Sequence, residues 1–309
     1  MEEDKFYLYS MNYAPDEMEF ALMEMRYIFG VNISDKIFCS SKEVDPSSSP
    51  FIRESIEVIL RCSGFDELIQ GIKNLELKCE DFKVNYFKTL SSVEYSRRLS
   101  LIKEVGMAIE GEANLYKPKI EFAIAYYMDS WFFGTYHPHN NQWHIHDKKP
   151  CTYSNSINYK VARSLVNIAT CGDYSKSLID PCCGIGTVLL EAASLLVDYT
   201  GCEINPMIGE RARVNLEFFG YEPNVVIGDM TNLQGFYDCS VIDLPYGHFN
   251  PISEEDQISI IKGARKLTKR LVLITNQNMD TIIFSAGFNV ESSCILSKGK
   301  FKRYVTVCI

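Results

Sequence analysis

The second half of the chain alternates short apolar runs with longer stretches of helical periodicity. The runs are residues 177–180, 199–204, 224–230, 239–245 and 271–275. Continuous apolar runs of this length, separated by helices, are typical of parallel strands that are buried on both faces of a sheet. The last two runs, 289–297 and 302–309, are joined only by the short KGK turn. The pattern therefore predicts a parallel α/β sheet that ends in an antiparallel hairpin.

The first half of the chain mixes both periodicities. FYLYSMNYA (6–14) predicts a strand, and PDEMEFALMEMRYIFG (15–30) predicts a helix with Pro15 near its start and Gly30 near its end. Further helical patterns cover 63–75 and 97–111, and strand-like patterns cover 79–90 and 120–137. We therefore predict an α+β region over residues 1–136.

Residues 137–153 are polar and rich in turn formers, and we interpret them as a linker that leads into a second domain at 154–309. The linker holds four of the five histidines, which are His137, His139, His144 and His146. A metal site is the alternative interpretation. No cysteine or carboxylate completes a familiar ligand spacing, so we expect a solvated linker and no metal.

Length and composition limit the class of protein. The 309 residues suggest two domains. We find neither a signal-peptide pattern nor an apolar run long enough for a membrane helix, so we expect a cytoplasmic protein with no membrane partner. The eleven cysteines show no CxxC spacing, and we expect most of them to be reduced and buried.

The charge distribution is uneven. Net charge is −9, and residues 1–150 hold 17 basic and 24 acidic residues, which argues against a simple basic nucleic-acid binder. Residues 262–309 instead hold nine basic and two acidic residues. Two interpretations of KGARKLTKR (262–270) stay open, because it fits the solvated face of a helix as well as a contact with phosphates.

LIDPCCGIGTVLLEAA (178–193) predicts a strand that ends at Asp180, a glycine loop and a helix that begins near Thr187. Gly184 and Gly186 allow the backbone to turn tightly and to approach a ligand closely. Asp180 lies at the carboxyl end of its strand, where its side chain is able to accept a hydrogen bond from a ligand amine. This stretch predicts a cofactor-binding loop.

Acidic residues also end the next two strands. Glu203 follows Asp180 by 23 residues, and an acid at about this distance from a glycine loop typically binds both hydroxyls of a ribose. Ile204 follows it directly and is included in the predicted site. Asp229 is placed to reach an adenine amine, with Met230 against the face of the ring.

DLPYG (243–247) ends the fourth strand with an acid and an aromatic residue. An exocyclic amine on a planar base is a poor nucleophile, because its lone pair is delocalised into the ring. Asp243, or a neighbouring backbone carbonyl, is placed to accept the amine protons. Pro245 fixes the turn and Tyr246 offers a ring for stacking, which contributes about 1–3 kcal/mol. We predict that these three residues are catalytic and act mainly by positioning.

Five βα strands followed by a hairpin match the Rossmann-like sheet of class I methyltransferases better than a dinucleotide dehydrogenase. The motifs resemble those of the THUMP-containing tRNA guanine-N2 methyltransferases. Their cofactor loop, Asp-Pro-x-Cys-Gly-x-Gly-Thr, is matched here by Asp180, Pro181, Cys183, Gly184, Gly186 and Thr187. Their catalytic Asp-Pro-Pro-Tyr-Gly is matched by Asp243, Pro245, Tyr246 and Gly247, with Leu244 in place of the first proline.

The resemblance implies S-adenosylmethionine as cofactor and tRNA as substrate. It also implies that Ser156, in the loop before the first helix of the second domain, lies beside the methionine end of the cofactor. Residues 55–135 resemble the second half of a THUMP domain, which grips the 3′ end of tRNA in relatives, and a ferredoxin-like piece would precede it. The acidic first half still needs a basic strip, for which the candidates are Lys83, Lys88, Arg97, Arg98 and Lys103.

We therefore expect methylation of the N2 amine of a guanosine in tRNA. One alternative is the same chemistry on N6 of adenine in DNA or RNA, or on a protein glutamine. Another is a catalytically degenerate RNA-binding protein, to which Leu244 points. A nicotinamide-dependent enzyme is disfavoured by the Asp-Pro before the glycines. The sequence does not specify the tRNA position or the oligomeric state.

Overall fold

The computed structural model describes residues 5–89, 93–153, 156–244, 253–298 and 301–309. The chain divides into two compact units. The first comprises Met1–Asn12 and Asp35–Asn140, and the second comprises Tyr13–Ser34 and Asn141–Ile309.

The helices and strands follow one another along the chain in this order: β1 (Tyr7–Met11), α1 (Met18–Phe29), β2 (Ile37–Ser40), β3 (Ile52–Cys62), α2 (Phe65–Asn74), β4 (Phe82–Tyr86), α3 (Tyr95–Gly106), β5 (Ile120–Tyr127), β6 (Ser130–Pro138), α4 (Tyr159–Thr170), β7 (Ser177–Asp180), α5 (Thr187–Ser194), β8 (Asp198–Glu203), α6 (Pro206–Phe218), β9 (Val225–Ile227), β10 (Cys239–Asp243), α7 (Glu254–Leu267), β11 (Leu271–Thr275), α8 (Asp280–Ser285), β12 (Val290–Lys298) and β13 (Phe301–Cys308).

The first unit is built on a six-stranded sheet in the order β2-β1-β3-β6-β5-β4. Its neighbouring strands are antiparallel except for β4 and β5, which run parallel. Helices α2 and α3 bury Leu68, Ile72, Leu101 and Val105 in one cluster with the aromatic side chains of the sheet. The α+β composition that the sequence predicts for this region is therefore present.

The predicted strand over 120–137 is a hairpin of two strands, β5 and β6. Its turn consists of Met128 and Asp129, which both adopt positive φ values, 46° and 55°. Two-residue hairpin turns with positive φ usually contain Asn or Gly, and Met carries no such signal. The sequence therefore shows no signal for the turn and predicts the two strands as one.

The second unit is built on a seven-stranded sheet in the order β12-β13-β11-β10-β7-β8-β9. Strands β7 to β11 are mutually parallel, while β13 pairs antiparallel with β11 and with β12. This is the Rossmann-like sheet of class I methyltransferases with its C-terminal antiparallel hairpin, so the predicted fold class is confirmed. The switch in strand order lies between β7 and β10, where α/β sheets of this kind bind ligands.

Helix α1 belongs to the second unit, although its sequence lies inside the predicted first region. The fully buried Glu24 of α1 accepts a hydrogen bond from Asn167 of α4 at 2.5 Å. Met23 of α1 contacts Cys294 of β12 at 3.7 Å between the sulfur atoms. A buried carboxylate needs such a partner, and the amide that provides it lies 143 residues along the chain.

Residues 137–153 differ from the solvated linker that their composition predicts. His137 and Pro138 end strand β6, and Gln142–Lys148 forms a 3₁₀ helix. Trp143 and His146 of that helix are buried, with 5% and 2% exposure. The prediction of a solvated linker was wrong for these residues, because both rings pack into the second unit.

Each of the eleven cysteines is a free thiol. Across the described residues no helix combines the length and the apolar character that a membrane span needs. Within the same residues, no group of three or more histidine, cysteine and acidic side chains is arranged to hold a metal ion.

Candidate active site

Asp180 ends the central strand β7 and is nearly fully buried, at 4% exposure. Its Oδ1 accepts a hydrogen bond from the backbone N–H of Cys182 at 3.2 Å. Burial raises the pKa of the Asp180 carboxyl well above its usual range, and the nearby carboxylates of Asp243 and Glu203 raise it further. The ends of three neighbouring strands thus place acidic groups within electrostatic reach of one another.

The glycine loop between β7 and α5 turns through two left-handed residues. Gly184 has φ +54° and Gly186 has φ +79°, where a side chain is disfavoured. The loop is tied to the sheet by a hydrogen bond from the Cys183 N–H to the Cys202 carbonyl at 2.9 Å. The predicted loop, and the predicted start of the helix at Thr187, are both present.

Thr187, the first residue of α5, is buried at 4% exposure. Within the described part of the chain its Oγ1 is buried and has no hydrogen-bond partner. The backbone N–H groups in the first turn of a helix also lack intrahelical partners and favour negative charge. This end of α5 therefore offers unsatisfied donors beside the glycine loop.

Glu203 ends β8 with both carboxylate oxygens engaged by backbone amides. Its Oε2 accepts from the Gly184 N–H at 3.0 Å, and its Oε1 accepts from the Asn205 N–H at 2.9 Å. A carboxylate offers about four acceptor positions, so two amide contacts fix its orientation and leave room for further donors. Ile204, next along the chain, is 70% exposed. The geometry fits a carboxylate that is aimed at a diol.

The third strand end is followed by Asp229 and Met230, which have different surroundings. Asp229 accepts a hydrogen bond from the Thr231 N–H at 2.8 Å, and this bond lowers the pKa of its carboxyl. Met230 is 7% exposed and belongs to the core cluster between the sheet and α7, with Ile242 and Ile261. Its side chain therefore packs into the core, and its contact with an adenine ring stays a prediction.

Asp243 ends β10 and is paired with Ile274 of β11. Leu244, which replaces the first proline of the family motif, is buried at 2% exposure. Its backbone N–H donates to the Ile274 carbonyl at 3.1 Å. Proline has no N–H and would lose this bond, so leucine extends the β10–β11 pairing by one residue. Leu244 thus fits the structure as a packing residue directly after Asp243.

The remaining predicted site residues either lie outside the described residues or have contacts within the second unit. Pro245, Tyr246 and Gly247 lie outside the described residues. Ser156 donates from its hydroxyl to the Tyr153 carbonyl at 2.8 Å. Burial raises the pKa of the Cys183 thiol well above its usual range, so it is not a thiolate nucleophile at neutral pH.

A buried ion-pair cluster lies behind the glycine loop and was missed by the sequence analysis. Glu191 of α5 is fully buried, and its Oε1 lies 2.7 Å from His146 Nδ1. Its Oε2 accepts from Arg163 Nη1 at 2.9 Å, and the same nitrogen donates to Ser194 at 2.8 Å. Glu191 stands one helical turn after Thr187, so this cluster fixes the helix that begins at the loop. A charge inside an apolar helix was the only available signal.

The basic run over 262–270 has two kinds of member. Lys262, Lys266 and Lys269 are exposed. Arg265 instead stacks on Phe288, with its guanidinium carbon 4.9 Å from the ring centroid, and Arg270 donates to Glu291 at 3.0 Å. The lysines of this run are therefore accessible to a ligand, whereas the two arginines support the fold.

Part of the second unit matches a known protein family. Residues 146–280 match a family model described as UPF0020, RMKL-like, methyltransferase domain. This match begins at residue 146, inside the segment that the sequence suggested to be a linker. It covers the glycine loop, the acidic strand ends and Asp243.

Two curated relatives share part of the sequence. The tRNA (guanine(10)-N2)-dimethyltransferase of Methanothermobacter thermautotrophicus is 35% identical over 114 residues, which are 35% of this chain and 33% of that protein. The enzyme of the same name from Pyrococcus abyssi is 28% identical over 107 residues, 33% of this chain and 32% of that protein. The chain thus matches about a third of the length of these relatives. The structure of TrmN from Thermus thermophilus aligns over 98% of this chain and 99% of its own, with 14% identity and a TM-score of 0.49.

Proposed function

We propose that the protein transfers a methyl group from S-adenosylmethionine to the exocyclic N2 amine of a guanosine in tRNA, in the cytoplasm. The methyltransferase-domain match over 146–280 and the names of the two curated relatives support this activity. The relatives' names make guanosine 10 the first position to examine. The proposal depends most on one observation, the Glu203 carboxylate held by the amides of Gly184 and Asn205.

The cofactor would be held at the carboxyl ends of β7 and β8. Glu203 would accept hydrogen bonds from both ribose hydroxyls, because its orientation is already set by two backbone amides. The donors at the start of α5, including the Thr187 Oγ1 that has no partner among the described residues, suit the carboxylate of the methionine part. Asp180 suits its ammonium group. The bound cofactor supplies a methyl group on a positively charged sulfur.

The acidic strand ends also favour a positively charged ligand. Asp180 is buried close to Asp243 and Glu203, and its pKa is raised mainly by desolvation and further by repulsion from these two carboxylates. An ammonium and a sulfonium reduce both penalties, since an opposite charge favours the ionised carboxylate. These acids would therefore bind the cofactor more tightly than its demethylated product, which keeps the ammonium group and loses the positive charge on sulfur.

Asp243 would act on the base. Its carboxylate would accept a hydrogen bond from the N2 amine and hold the nitrogen in line with the methyl group. It would stabilise the positive charge that develops on the nitrogen as the N–C bond forms and the S–C bond of the cofactor breaks, and the amine would then lose one proton to solvent. Pro245 and Tyr246 stay predictions for the turn and for stacking of a flipped-out guanine. Asp243 is thus proposed as the main catalytic residue.

The first unit is proposed to bind RNA as a THUMP-like region, with the methyltransferase domain proper in the second unit. Arg98 of α3 lies between two aromatic rings, with its guanidinium carbon 5.6 Å from the Tyr95 centroid and 6.0 Å from that of Tyr86. Tyr95 is 68% exposed. Arginine combined with an exposed aromatic ring is a typical surface for single-stranded or flexible RNA. The exposed lysines of α7 would add contacts to phosphates.

Two alternatives are weaker. A degenerate, non-catalytic domain was suggested by Leu244, but this residue has a packing and hydrogen-bonding role of its own. Methyl transfer to adenine or to a protein glutamine would use Asp243 in the same way, to accept a hydrogen bond from the amine, and would differ only in the molecule that is methylated.

Competition between acceptors tests the proposal. The full chain would be incubated with S-adenosylmethionine that carries a labelled methyl group and with equal amounts of unmodified tRNA, double-stranded DNA and a glutamine-containing protein extract. We expect the label in the tRNA fraction. Label in DNA or protein would favour the alternative acceptors, and binding of S-adenosylhomocysteine without any transfer would favour a degenerate domain.

A further inference from the structure

Asn215 of α6 is fully buried and lies outside the set of acidic strand ends. Its Nδ2 donates to the Ile185 carbonyl at 2.9 Å and to the Cys151 carbonyl at 3.0 Å. Its Oδ1 accepts from the Cys151 N–H at 2.8 Å. One side-chain amide thus binds both backbone groups of Cys151 and the centre of the glycine loop.

The hydrogen bond to the Ile185 carbonyl restrains the Ile185–Gly186 peptide, which the neighbouring glycines alone would leave flexible. Ile185 stands between Gly184 and Gly186, which both adopt positive φ. The Ile185–Gly186 peptide is planar, so its carbonyl and its N–H point in opposite directions. The Gly186 N–H donates to the Cys183 carbonyl at 2.8 Å, and Asn215 binds the carbonyl on the other side. The peptide plane is therefore held at both edges.

The Cys151 contact brings a second segment to the same amide. Residues 142–153 contact α5 through His146 on Glu191 and contact α6 through Cys151 on Asn215. This segment leads directly into the loop before α4, where Ser156 is the predicted cofactor residue. Asn215 thus connects the glycine loop to the segment that leads into the loop before α4.

We propose that Asn215 is a positioning residue for the cofactor, which holds the Ile185–Gly186 peptide and the Cys151 backbone in the arrangement that binds the cofactor. The inference rests on the proposed function, since it deepens the role of the same site. Two glycines make the loop pliable, and the rigidity has to come from outside the loop. An amide suits this place because it supplies two donors and an acceptor from one planar group.

The test replaces the amide by a carboxylate of the same size or by a smaller hydroxyl. Asn215→Asp keeps the acceptor for the Cys151 N–H and removes both donors. Asn215→Ser keeps one hydroxyl and is the second variant, should the carboxylate prevent folding. The matched controls are Asn167→Asp and Asn167→Ser, because Asn167 is a fully buried amide of the same unit whose Nδ2 binds Glu24 and whose Oδ1 accepts from Tyr174.

The readouts are calorimetric binding of S-adenosylhomocysteine, KM values for cofactor and tRNA, and melting temperature. All four variants are expected to melt below the wild type. Only the Asn215 variants are expected to weaken cofactor binding, by about tenfold or more, because a buried polar contact is lost at the loop. Their KM for S-adenosylmethionine is expected to rise while the KM for tRNA stays at the wild-type value.

The outcomes separate this inference from the proposed function. If the wild type fails to bind S-adenosylhomocysteine, the proposed function fails and the inference fails with it. If the wild type binds it and the Asn215 variants bind equally well, only the inference is overturned. Equal losses in the Asn167 variants also overturn it, because the effect would then reflect general destabilisation.

Discussion

The two sheets of this molecule arrange their strand ends differently. In the second unit, β7, β8 and β10 run parallel, so their carboxyl ends meet at one edge and bring Asp180, Glu203 and Asp243 together. In the first unit most neighbouring strands are antiparallel, so the carboxyl ends alternate between opposite edges. The parallel strands therefore place several functional side chains at one edge of the sheet. Among the described residues, the antiparallel strands of the first unit form no such cluster of strand ends, so its function is inferred from exposed side chains.

The two units also differ in the side chains that are proposed to carry their functions. Function in the second unit is proposed to depend on the carboxylates at the strand ends, of which Asp180 and Glu203 accept hydrogen bonds from backbone amides. Function in the first unit is proposed to depend on Arg98 and its aromatic neighbours on the surface of α3. Substitutions in the second unit should therefore change cofactor binding or chemistry, and substitutions in the first should change only RNA affinity.

Asp243→Ala should have the largest effect. We expect methyl transfer to fall by about 10²–10³-fold, because a preorganised acceptor for the developing charge is removed. Binding of S-adenosylhomocysteine and of tRNA should persist. Single-turnover transfer of labelled methyl to tRNA measures the loss.

Asp238→Ala is the matched control for Asp243→Ala. Asp238 precedes the same strand at its opposite end, where it accepts hydrogen bonds from the N–H and hydroxyl of Ser177, each at 2.8 Å. This variant should lower the melting temperature and leave the transfer rate unchanged. An equal loss of rate in both variants would contradict a specific role for the carboxyl edge of the sheet.

Glu203→Ala should have the next largest effect, on cofactor affinity. We expect S-adenosylhomocysteine to bind about a hundredfold more weakly, since two hydrogen bonds to a charged group contribute about 1.5–3 kcal/mol each and part of this is recovered by water. Calorimetry measures it. Glu210→Ala, which removes an exposed partner of Arg213 on α6, is the control and should bind normally. Normal binding by Glu203→Ala would remove the main support for the cofactor site.

Asp180 should make cofactor affinity depend on pH, by up to about tenfold per pH unit. Its raised pKa means that the free protein keeps this carboxyl protonated to higher pH, and a cationic ligand favours the carboxylate. Binding should therefore release a proton, and affinity should increase as pH rises through the raised pKa. The free protein should lose stability over the same range, because its folded state binds the proton more tightly than its unfolded state.

Calorimetry in two buffers with different ionisation enthalpies measures the proton release. Asp180→Asn should abolish this release and flatten the pH profile. Proton release that is unchanged in Asp180→Asn would assign the titration to another group.

Arg98→Ala in the first unit should have the smallest effect. We expect tRNA affinity to fall by about three- to tenfold, with a weaker dependence on salt, and cofactor affinity to stay the same. Arg61→Ala is the control, because Arg61 also lies over a ring, 5.5 Å from the Phe132 centroid, on strand β3 of the same unit. Filter binding at several salt concentrations measures both variants. Equal tRNA affinities for both would remove the proposed role of α3.

The sequence predicted the elements that carry strong local signals. Residues 177–180 and 271–275 are strands β7 and β11 with the predicted bounds, and the acids at 180, 203 and 243 do end strands. Apolar runs and glycine loops are local features, so they are visible without the fold.

Long-range partners were not visible in the sequence. Burial of His146 depends on Glu191, and the role of Asn215 depends on Cys151, 64 residues earlier. Strand β3 (Ile52–Cys62) carries charged residues on its exposed face and gave no clear apolar run. These features depend on tertiary contacts, for which a single sequence has no periodic signal.

The position of the transferred methyl group shows directly whether the protein acts on the N2 amine of guanosine. Unmodified tRNA would be methylated by the full chain, digested to nucleosides and analysed by chromatography with fragmentation mass spectrometry. We predict N2-methylguanosine, because Asp243 is placed to accept from an exocyclic amine. A methyl group on a ring nitrogen, as in N1-methylguanosine, or on adenosine would contradict it.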